Sequence, residues 1–353
     1  MIECRNLTKK FGELTAVSNI SLLIKEKEFI SILGPSGCGK STLLRLIAGL
    51  EVPSEGRVFL HEKEISGKKI ILPPERRQFG MIFQDFALFP HLSVEQNIAF
   101  GIKGKAKDKK QRVKDLLKLV NLTDLTQKMP HQISGGEQQR IAVARALAPR
   151  PRLILMDEPF SNLDFQLRQQ LRNDIREILR YEGVATILVT HDQVEAVTFP
   201  DRVILMHHGE LVQSGTPEEI YQLPQTVWAS SFMGETNHLR TEWANNSLKF
   251  ALGFLEVSLD IGQKTSTLMI RPEDFLVKNV AESNKNGVIK SVDFSGPFKI
   301  LKIELNSGET IQVNESAHVS WSPGDSLKID AKRYICYDSA GQRLSGFLPK
   351  KSK

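Results

Sequence analysis

The stretch Gly34-Pro35-Ser36-Gly37-Cys38-Gly39-Lys40-Ser41 fits the pattern G-x-x-x-x-G-K-[ST]. A short apolar run at residues 30–33 comes directly before it, and residues 41–50 have the pattern of a helix. Glycines in such a turn let successive backbone N–H groups point inward, and the following helix adds the positive end of its dipole. The stretch therefore predicts a phosphate-binding loop between a strand and a helix.

The side chains at the end of this loop suit a nucleoside triphosphate. Lys40 is expected to reach the β- and γ-phosphates, Ser41 to bind Mg²⁺ and Thr42 to add a hydroxyl contact. Cys38 lies inside the loop beside a helix N-terminus, a position that favours the thiolate form. The loop thus predicts ATP and Mg²⁺ as cofactors, and Cys38 is either a structural residue or a thiol that reagents can modify.

A second motif is the apolar run at residues 153–156, which is followed by Asp157 and Glu158. Carboxylates at the end of a strand lie at the carboxyl edge of a sheet, beside a phosphate loop at the same edge. One carboxylate is needed for Mg²⁺, usually through water, and a second can orient and polarise the attacking water. We assign Asp157 to the metal and Glu158 to the water, which predicts hydrolysis of ATP.

A third motif, Ser134-Gly135-Gly136, precedes a predicted helix that runs through Ala148. Ser134 has the position of an N-cap, and the two glycines leave the first backbone donors of the helix uncovered. The motif predicts a second anion-binding helix terminus in the same chain.

The apolar pattern divides the chain in two. Up to about residue 235, compact apolar runs such as residues 153–156 and 186–189 indicate strands buried on both faces, and hence a parallel sheet covered by helices. From about residue 236 the strands are short and alternating, with Gly, Pro, Asn and Ser in the turns, which predicts a small barrel or sandwich. No stretch approaches the roughly 18 apolar residues of a spanning helix, so any membrane role is predicted to be peripheral.

In their order along residues 1 to about 235, these motifs resemble the nucleotide-binding subunit of ATP-binding cassette (ABC) transporters. The resemblance implies an α/β P-loop NTPase domain at residues 1–235, with a helical subdomain at about residues 90–150. It also implies a homodimer in which the signature of one chain closes on the phosphate loop of the other. The positions that match the family's motifs are Phe11 for the adenine ring, Gln84 for Mg²⁺ and the attacking water, Ser134-Gly135-Gly136 for the signature, Asp164 for the loop that crosses to the other subunit, and His191 for the γ-phosphate.

The C-terminal part is similar to the small barrel of many importer ATPases, most clearly at Met269-Ile270-Arg271-Pro272-Glu273-Asp274. Residues 236–353 are therefore expected to form an all-β, OB-like regulatory domain of the TOBE type. Residues 72–77 and 83–92 look most like ferric-iron importers. Similar phrases occur in spermidine/putrescine, sulfate and phosphonate importers, and the sequence leaves these substrates open, since substrate is selected by other chains.

An importer ATPase of this kind implies permease subunits, a periplasmic substrate-binding protein as an indirect partner, and a peripheral position on the cytoplasmic face of the inner membrane. Residues 85–92 match the segment that meets the permease. Within it, Phe86, Leu88, Phe89 and Leu92 are either apolar anchors for the permease or part of the chain's own core.

A different class of protein, a soluble ATPase that acts on nucleic acid, shares some of these features. The net charge of +6 and the pI of about 9.1 would suit it, as would the basic residues between 103 and 114. However, the predicted barrel strands lack a clear row of exposed aromatic side chains on which bases could stack. We therefore predict no nucleic-acid partner.

Overall fold

The computed structural model describes residues 1–161, 165–279 and 285–344, and it divides into two compact units, Met1–Glu218 and Glu219–Lys353. The strands of the first unit are β1 (Ile2–Phe11), β2 (Leu14–Ile24), β3 (Phe29–Leu33), β4 (Glu55–Leu60), β5 (Lys63–Ser66), β6 (Phe79–Ile82), β7 (Leu153–Asp157), β8 (Ala185–Thr190), β9 (Arg202–His207) and β10 (Glu210–Gly215). Its helices are α1 (Lys40–Ala48), α2 (Val94–Ala99), α3 (Ala106–Leu119), α4 (Gly135–Leu147), α5 (Phe165–Glu182) and α6 (Gln193–Thr198). A further helix, α7 (Pro217–Gln222), spans the division between the units.

Six strands of the first unit form one sheet in the order β10-β9-β3-β8-β7-β6. The pairs from β9 to β6 are parallel, and β10 returns antiparallel to β9. Every side chain of β3 and β8 is buried, because helices cover both faces of a parallel sheet. The predicted α/β fold is confirmed, and the ends of β3, β7 and β8 place three loops at one edge of the sheet.

The sequence does not predict the second sheet of this unit, which is antiparallel and has the order β2-β1-β4-β5. Its two long strands, β1 and β2, are joined by a tight turn in which Gly12 has φ 59°. Phe11, the last residue of β1, pairs with Leu14 at this turn. The sheet therefore presents the Phe11 ring from a strand end.

Arg77 is a fully buried arginine that closes the C-terminal end of α1. Its guanidinium donates to four backbone carbonyl oxygens, those of Leu46, Ile47, Ile65 and Leu72. Burial lowers its pKa to about 10. A cation at a helix C-terminus interacts favourably with the helix dipole, and here it also satisfies carbonyls from three separate segments.

Replacing Arg77 with methionine should lower the free energy of unfolding of the first unit by about 2–4 kcal/mol, since several buried carbonyls would lose their donor. Scanning calorimetry of the full chain measures this loss of stability. The unfolding transition of the first unit is identified as the one that ATP shifts to higher temperature. Arg5→Met is the control, because Arg5 is exposed and its partner Glu3 is at the surface. A loss no greater for Arg77→Met than for the control would contradict the structural role.

Helices α2, α3 and α4 pack around a shared apolar core that also contains Phe86. Only 7% of Phe86 is exposed, whereas Phe89 and Leu92 are half-buried. Phe86 is therefore part of the chain's own core. Phe89 instead contacts Phe100, whose ring centroid is 4.4 Å away and which is 66% exposed.

The second unit is built from short antiparallel strands around its own core, an arrangement compatible with the expected OB-like domain. These strands are β11 (Asn237–Arg240), β12 (Glu242–Ala244), β13 (Ser247–Phe250), β14 (Gly253–Leu255), β15 (Thr267–Ile270), β16 (Phe275–Lys278), β17 (Gly287–Ser295), β18 (Phe298–Leu305), β19 (Thr310–Ser316), β20 (Ser326–Ala331) and β21 (Ile335–Tyr337). They form sheets of order β11-β15-β21, β12-β13-β14 and β16-β20-β17-β18-β19. Two short helices, α8 (Val227–Phe232) and α9 (Leu259–Gly262), accompany them.

Within the sequence Met269 to Asp274, Arg271 binds the first part of this unit. Its guanidinium donates to the carbonyl oxygens of Ser230, Gly234 and Tyr221, and it lies 4.2 Å from the centroid of the Tyr221 ring.

Among the described residues of the whole chain, no helix has the length and hydropathy needed to cross a membrane.

Candidate functional site

The phosphate loop leaves the end of β3 and leads directly into α1, which begins at Lys40. Its close packing explains two of its glycines. A Cβ atom at Gly34 would lie 2.1 Å from the carbonyl oxygen of Met206, and one at Gly39 would lie 2.0 Å from that of Ala16. Gly39 also has φ 102°, a conformation that side chains other than glycine rarely adopt. The loop is thus held close to β9 and β2 by backbone contacts that only glycine permits.

Lys40 is almost wholly buried within the loop, with 4% of its surface exposed. Its ammonium group donates to the carbonyl oxygens of Gly34, at 2.8 Å, and Pro35, at 2.9 Å. The charge therefore lies inside the ring of backbone that the loop forms. An anion in that ring would meet the ammonium group and the loop N–H groups together.

Ser41 and Asp157 come together although 116 positions separate them. The Ser41 hydroxyl donates to Oδ1 of Asp157 at 2.7 Å. Neighbouring ligands of an octahedral Mg²⁺ with bonds of 2.0–2.1 Å lie about 2.9 Å apart, so this pair of oxygen atoms has a spacing that suits the ion. Ile82 of β6 and Met156 of β7 are partners in the parallel pairing of these strands. Gln84 lies two residues after Ile82, and Glu158 lies two residues after Met156. Both residues therefore follow strands that end at this edge of the sheet.

Glu158, which directly follows Asp157, forms a hydrogen-bonded pair with His191. Nδ1 of His191 lies 3.0 Å from Oε2 of Glu158, and the backbone N–H of Glu158 donates to the carbonyl of Val189. Glu158 has φ 46°, a left-handed conformation that is uncommon outside glycine. The strained backbone and the histidine together fix the direction of the carboxylate, and one oxygen remains for a water molecule.

Ser134 caps α4 as predicted, in a reciprocal capping box with Glu137. The Ser134 N–H donates to Oε2 of Glu137 at 2.7 Å, and this hydrogen bond is the main cause that lowers the pKa of the carboxyl. The second glycine has a packing reason, because a Cβ at Gly136 would come within 3.0–3.1 Å of Leu171 and Leu167 on α5. Gly136 therefore serves helix packing, while Gly135 leaves the helix end uncovered.

Phe11 is half exposed at the turn between β1 and β2, where it can offer a ring face. Lys9 is not among the predicted site residues, yet its ammonium nitrogen lies 4.7 Å from the centroid of this ring and is paired with Glu51 at 2.9 Å. No alternation along the strand indicates this contact, because the register of β1 shifts between Lys9 and Lys10. Thr42 follows Ser41 in the first turn of α1, and Asp164 lies outside the described residues.

The expectation of a reactive thiol in the loop is wrong. The Cys38 side chain is buried in the core beneath the loop, where its Sγ would lie 2.7 Å from a Cβ at Gly34. Burial raises the pKa of this thiol, and that effect outweighs the opposing charge of Lys40. Because the thiolate is the reactive form, the sulfur is protected in two ways, by the lack of access and by its proton.

Alkylation of Cys38 by iodoacetamide at pH 7.5 should be at least about tenfold slower than that of free cysteine. Its rate should continue to rise above the ordinary thiol pKa, since more of the thiolate forms there. Mass spectrometry of the modified peptide measures the rate, and Cys38→Ser reveals any signal from Cys4 and Cys336, whose thiol pKa burial raises to about 12 and about 11. Rapid modification of Cys38 at neutral pH would contradict the buried position.

Strand, loop and helix combine here as they do in P-loop nucleoside triphosphatases, and the chain falls in that class. The profile of a protein family described as ABC transporter matches residues 17–161. The Fe(3+) ions import ATP-binding protein FbpC 2 of Haemophilus influenzae is 39% identical over 337 residues, which cover 93% of this chain and 94% of that protein. A spermidine/putrescine import ATP-binding protein, PotA of Bacillus thuringiensis, is 37% identical over 93% of this chain and 96% of its own length.

Solved structures agree with these sequence relatives. A dimeric ATP-binding cassette in a post-hydrolysis state, bound to ADP and phosphate, is 34% identical, with a TM-score of 0.54, and covers 62% of this chain and 99% of its own. The chain therefore belongs to the ABC transporter family, and it is an ATP-binding, ATP-hydrolysing member of it.

Proposed function

We propose that this chain is the ATPase subunit of an importer for ferric iron. The observation that carries the proposal is the similarity to ferric-iron import proteins of several bacteria over about nine tenths of the chain, the C-terminal unit included. Polyamine import proteins are nearly as similar, so spermidine/putrescine import is the second candidate. Sulfate and phosphonate are the remaining candidate substrates.

At the nucleotide site we propose that residues 34–39 with Lys40 and Thr42 hold the phosphates of ATP, that Phe11 stacks on the adenine, and that Ser41, Asp157 and Gln84 hold Mg²⁺. The ion would neutralise charge on the phosphates. Glu158 would orient the attacking water and His191 would contact the γ-phosphate. The signature Ser134-Gly135-Gly136 and Asp164 would complete the site on the partner subunit.

For partners, we propose a homodimer that binds permease subunits, with a periplasmic substrate-binding protein as an indirect partner, on the cytoplasmic face of the inner membrane. Because Phe86 is buried, the proposed permease contact centres on Phe89 and the exposed Phe100. The domain organisation remains our proposal: an ATPase domain to about residue 235, with a helical subdomain at about residues 90–150, and a regulatory β domain at residues 236–353.

Uptake of labelled ferric iron by cells that lack this chain should be lost and should return when the wild-type gene is supplied. Supplying Glu158→Gln should not restore it, since the energy for transport comes from hydrolysis. Spermidine, sulfate and phosphonate uptake, measured in the same cells, should be unchanged. Unchanged iron uptake together with a loss of spermidine uptake would instead assign the chain to polyamine import.

A further inference from the structure

Two consecutive residues just after Gln84 adopt a backbone conformation that their side chains disfavour. Phe86 has φ 61° and Ala87 has φ 46°, both in the left-handed region. Residues with a Cβ atom are strained there, and a bulky one such as phenylalanine is a genuine outlier. Strain of this kind persists only where surrounding contacts impose it, and it is concentrated at functional sites.

Arg145, in the last turn of α4, supplies contacts that impose this conformation. Its guanidinium donates to the carbonyl oxygen of Ala87 at 2.6 Å and to that of Phe86 at 3.0 Å. The same group lies 5.4 Å from the centroid of the Phe89 ring. Burial lowers the pKa of Arg145, and the charge of Asp85 opposes this effect. One half-buried cation thus binds both strained peptide units and the aromatic ring that follows them.

The rest of the segment is attached to α2. The side chain of Asn97 accepts from the N–H of Phe89 and donates to the carbonyls of Phe89 and Leu92. The N–H of Phe86 donates to the carbonyl of Phe83, which closes a tight turn around Gln84. The turn that carries Gln84 is therefore restrained from two helices, and Arg145 acts at its strained part.

Helix α4 connects this contact to the signature. Ser134 caps its N-terminus, and Arg145 lies 11 positions further on, roughly 16 Å along the axis. The helix is largely buried between these two ends, and a close-packed interior transmits strain. We propose that Arg145 is a positioning residue for ATP hydrolysis: it holds the left-handed turn that presents Gln84, and it fixes that turn to the signature helix.

This inference rests on the role proposed above for Gln84, and its consequences can be separated from that role. Without the guanidinium, the turn relaxes toward ordinary backbone conformations and Gln84 leaves its position. Because the phosphate loop is untouched, ATP should still bind. Misplacement of a positioning group affects the rate of the chemical step, and it can lower kcat by about 10- to 100-fold.

The test compares five variants of the full chain: Arg145→Met, Ala87→Gly, the combination of the two, Arg112→Met and Gln84→Ala. Ala87→Gly removes the steric cost of the left-handed conformation from an exposed residue. Arg112→Met is the matched control, because Arg112 is also half-buried and donates to the carbonyl of Leu147 at the same helix end. Steady-state hydrolysis gives kcat and KM for ATP, and hydrogen exchange reports the N–H groups of Phe86 and Phe89.

We expect Arg145→Met to lower kcat with KM within about twofold of wild type, and to speed exchange at residues 86–89. Ala87→Gly should restore kcat of the Arg145 variant by about fivefold, since it removes roughly the penalty of one left-handed residue. Arg112→Met should neither lower kcat nor speed exchange at residues 86–89. Unchanged exchange in Arg145→Met, or an equal effect of Arg112→Met, would overturn the inference. If exchange speeds up but Gln84→Ala leaves kcat unchanged, the proposed role of Gln84 fails, while the hold of Arg145 on the turn stands.

Discussion

Replacing Glu158 with glutamine should stop ATP hydrolysis and leave ATP binding intact. The substitution keeps the shape of the side chain and removes the carboxylate that orients and polarises water, so we expect kcat to fall by at least about 100-fold. Glutamine can still accept a hydrogen bond from His191, so the pair should hold its geometry. Phosphate release measures kcat, and titration calorimetry measures the affinity for ATP.

The chain offers a matched control for this experiment. The Glu182 side chain is 18% exposed and that of Glu158 is 22% exposed, and each pairs with a basic residue, Arg112 and His191 respectively. Glu182→Gln should retain hydrolysis close to that of wild type. Equal hydrolysis in wild type and Glu158→Gln would assign the water-orienting role to another residue.

Replacing Lys40 with alanine should weaken ATP binding itself, in contrast to Glu158→Gln. The ammonium group is the buried cation of the loop, and charged hydrogen bonds of this kind contribute about 1.5–3 kcal/mol, so Kd for ATP should rise by about 10- to 100-fold or more. Hydrolysis at low ATP concentration should fall at least as far. Calorimetric titration with ATP measures the change.

A second substitution separates charge from packing at this position. Lys40→Met keeps an apolar stem of similar length, and it should weaken ATP binding as much as Lys40→Ala if the charge is responsible. The melting temperature without ATP shows whether either loop has lost its structure. ATP affinity within about twofold of wild type in both variants would show that the phosphates are bound elsewhere.

The parallel sheet and the loop could be predicted because their signals are local. β3 and β8 are short runs of mostly apolar residues, and the predicted helix at residues 41–50 corresponds to α1, which ends one residue before the left-handed Gly49. The antiparallel sheet was not predictable in the same way. Register shifts between Cys4 and Leu7, and between Leu7 and Lys9, interrupt the alternation of β1, and a bulged strand loses its two-residue period.

The parts of the site that the sequence did not predict depend on contacts between distant segments. Arg145 meets Ala87 across 58 positions, and no local pattern indicates a left-handed turn at Phe86 without glycine. For Cys38 the helix terminus suggested a thiolate, but that local effect is weaker than the burial created by the fold. The sequence motif predicts the phosphate loop well, because there the backbone does the binding. It predicts a side chain's protonation poorly where burial in the fold sets the pKa, as it does for Cys38.

The order of strands in the parallel sheet has a consequence for the newly synthesised protein. β3, which carries the phosphate loop, pairs with β8 on one edge and with β9 on the other. The ribosome makes β3 first, and both partners are complete only when residue 207 has been added. At ordinary translation speeds this leaves at least one edge of an apolar strand open for roughly 10–35 s. An open strand edge is a template for pairing with other chains, so the growing polypeptide is exposed to such pairing during this interval.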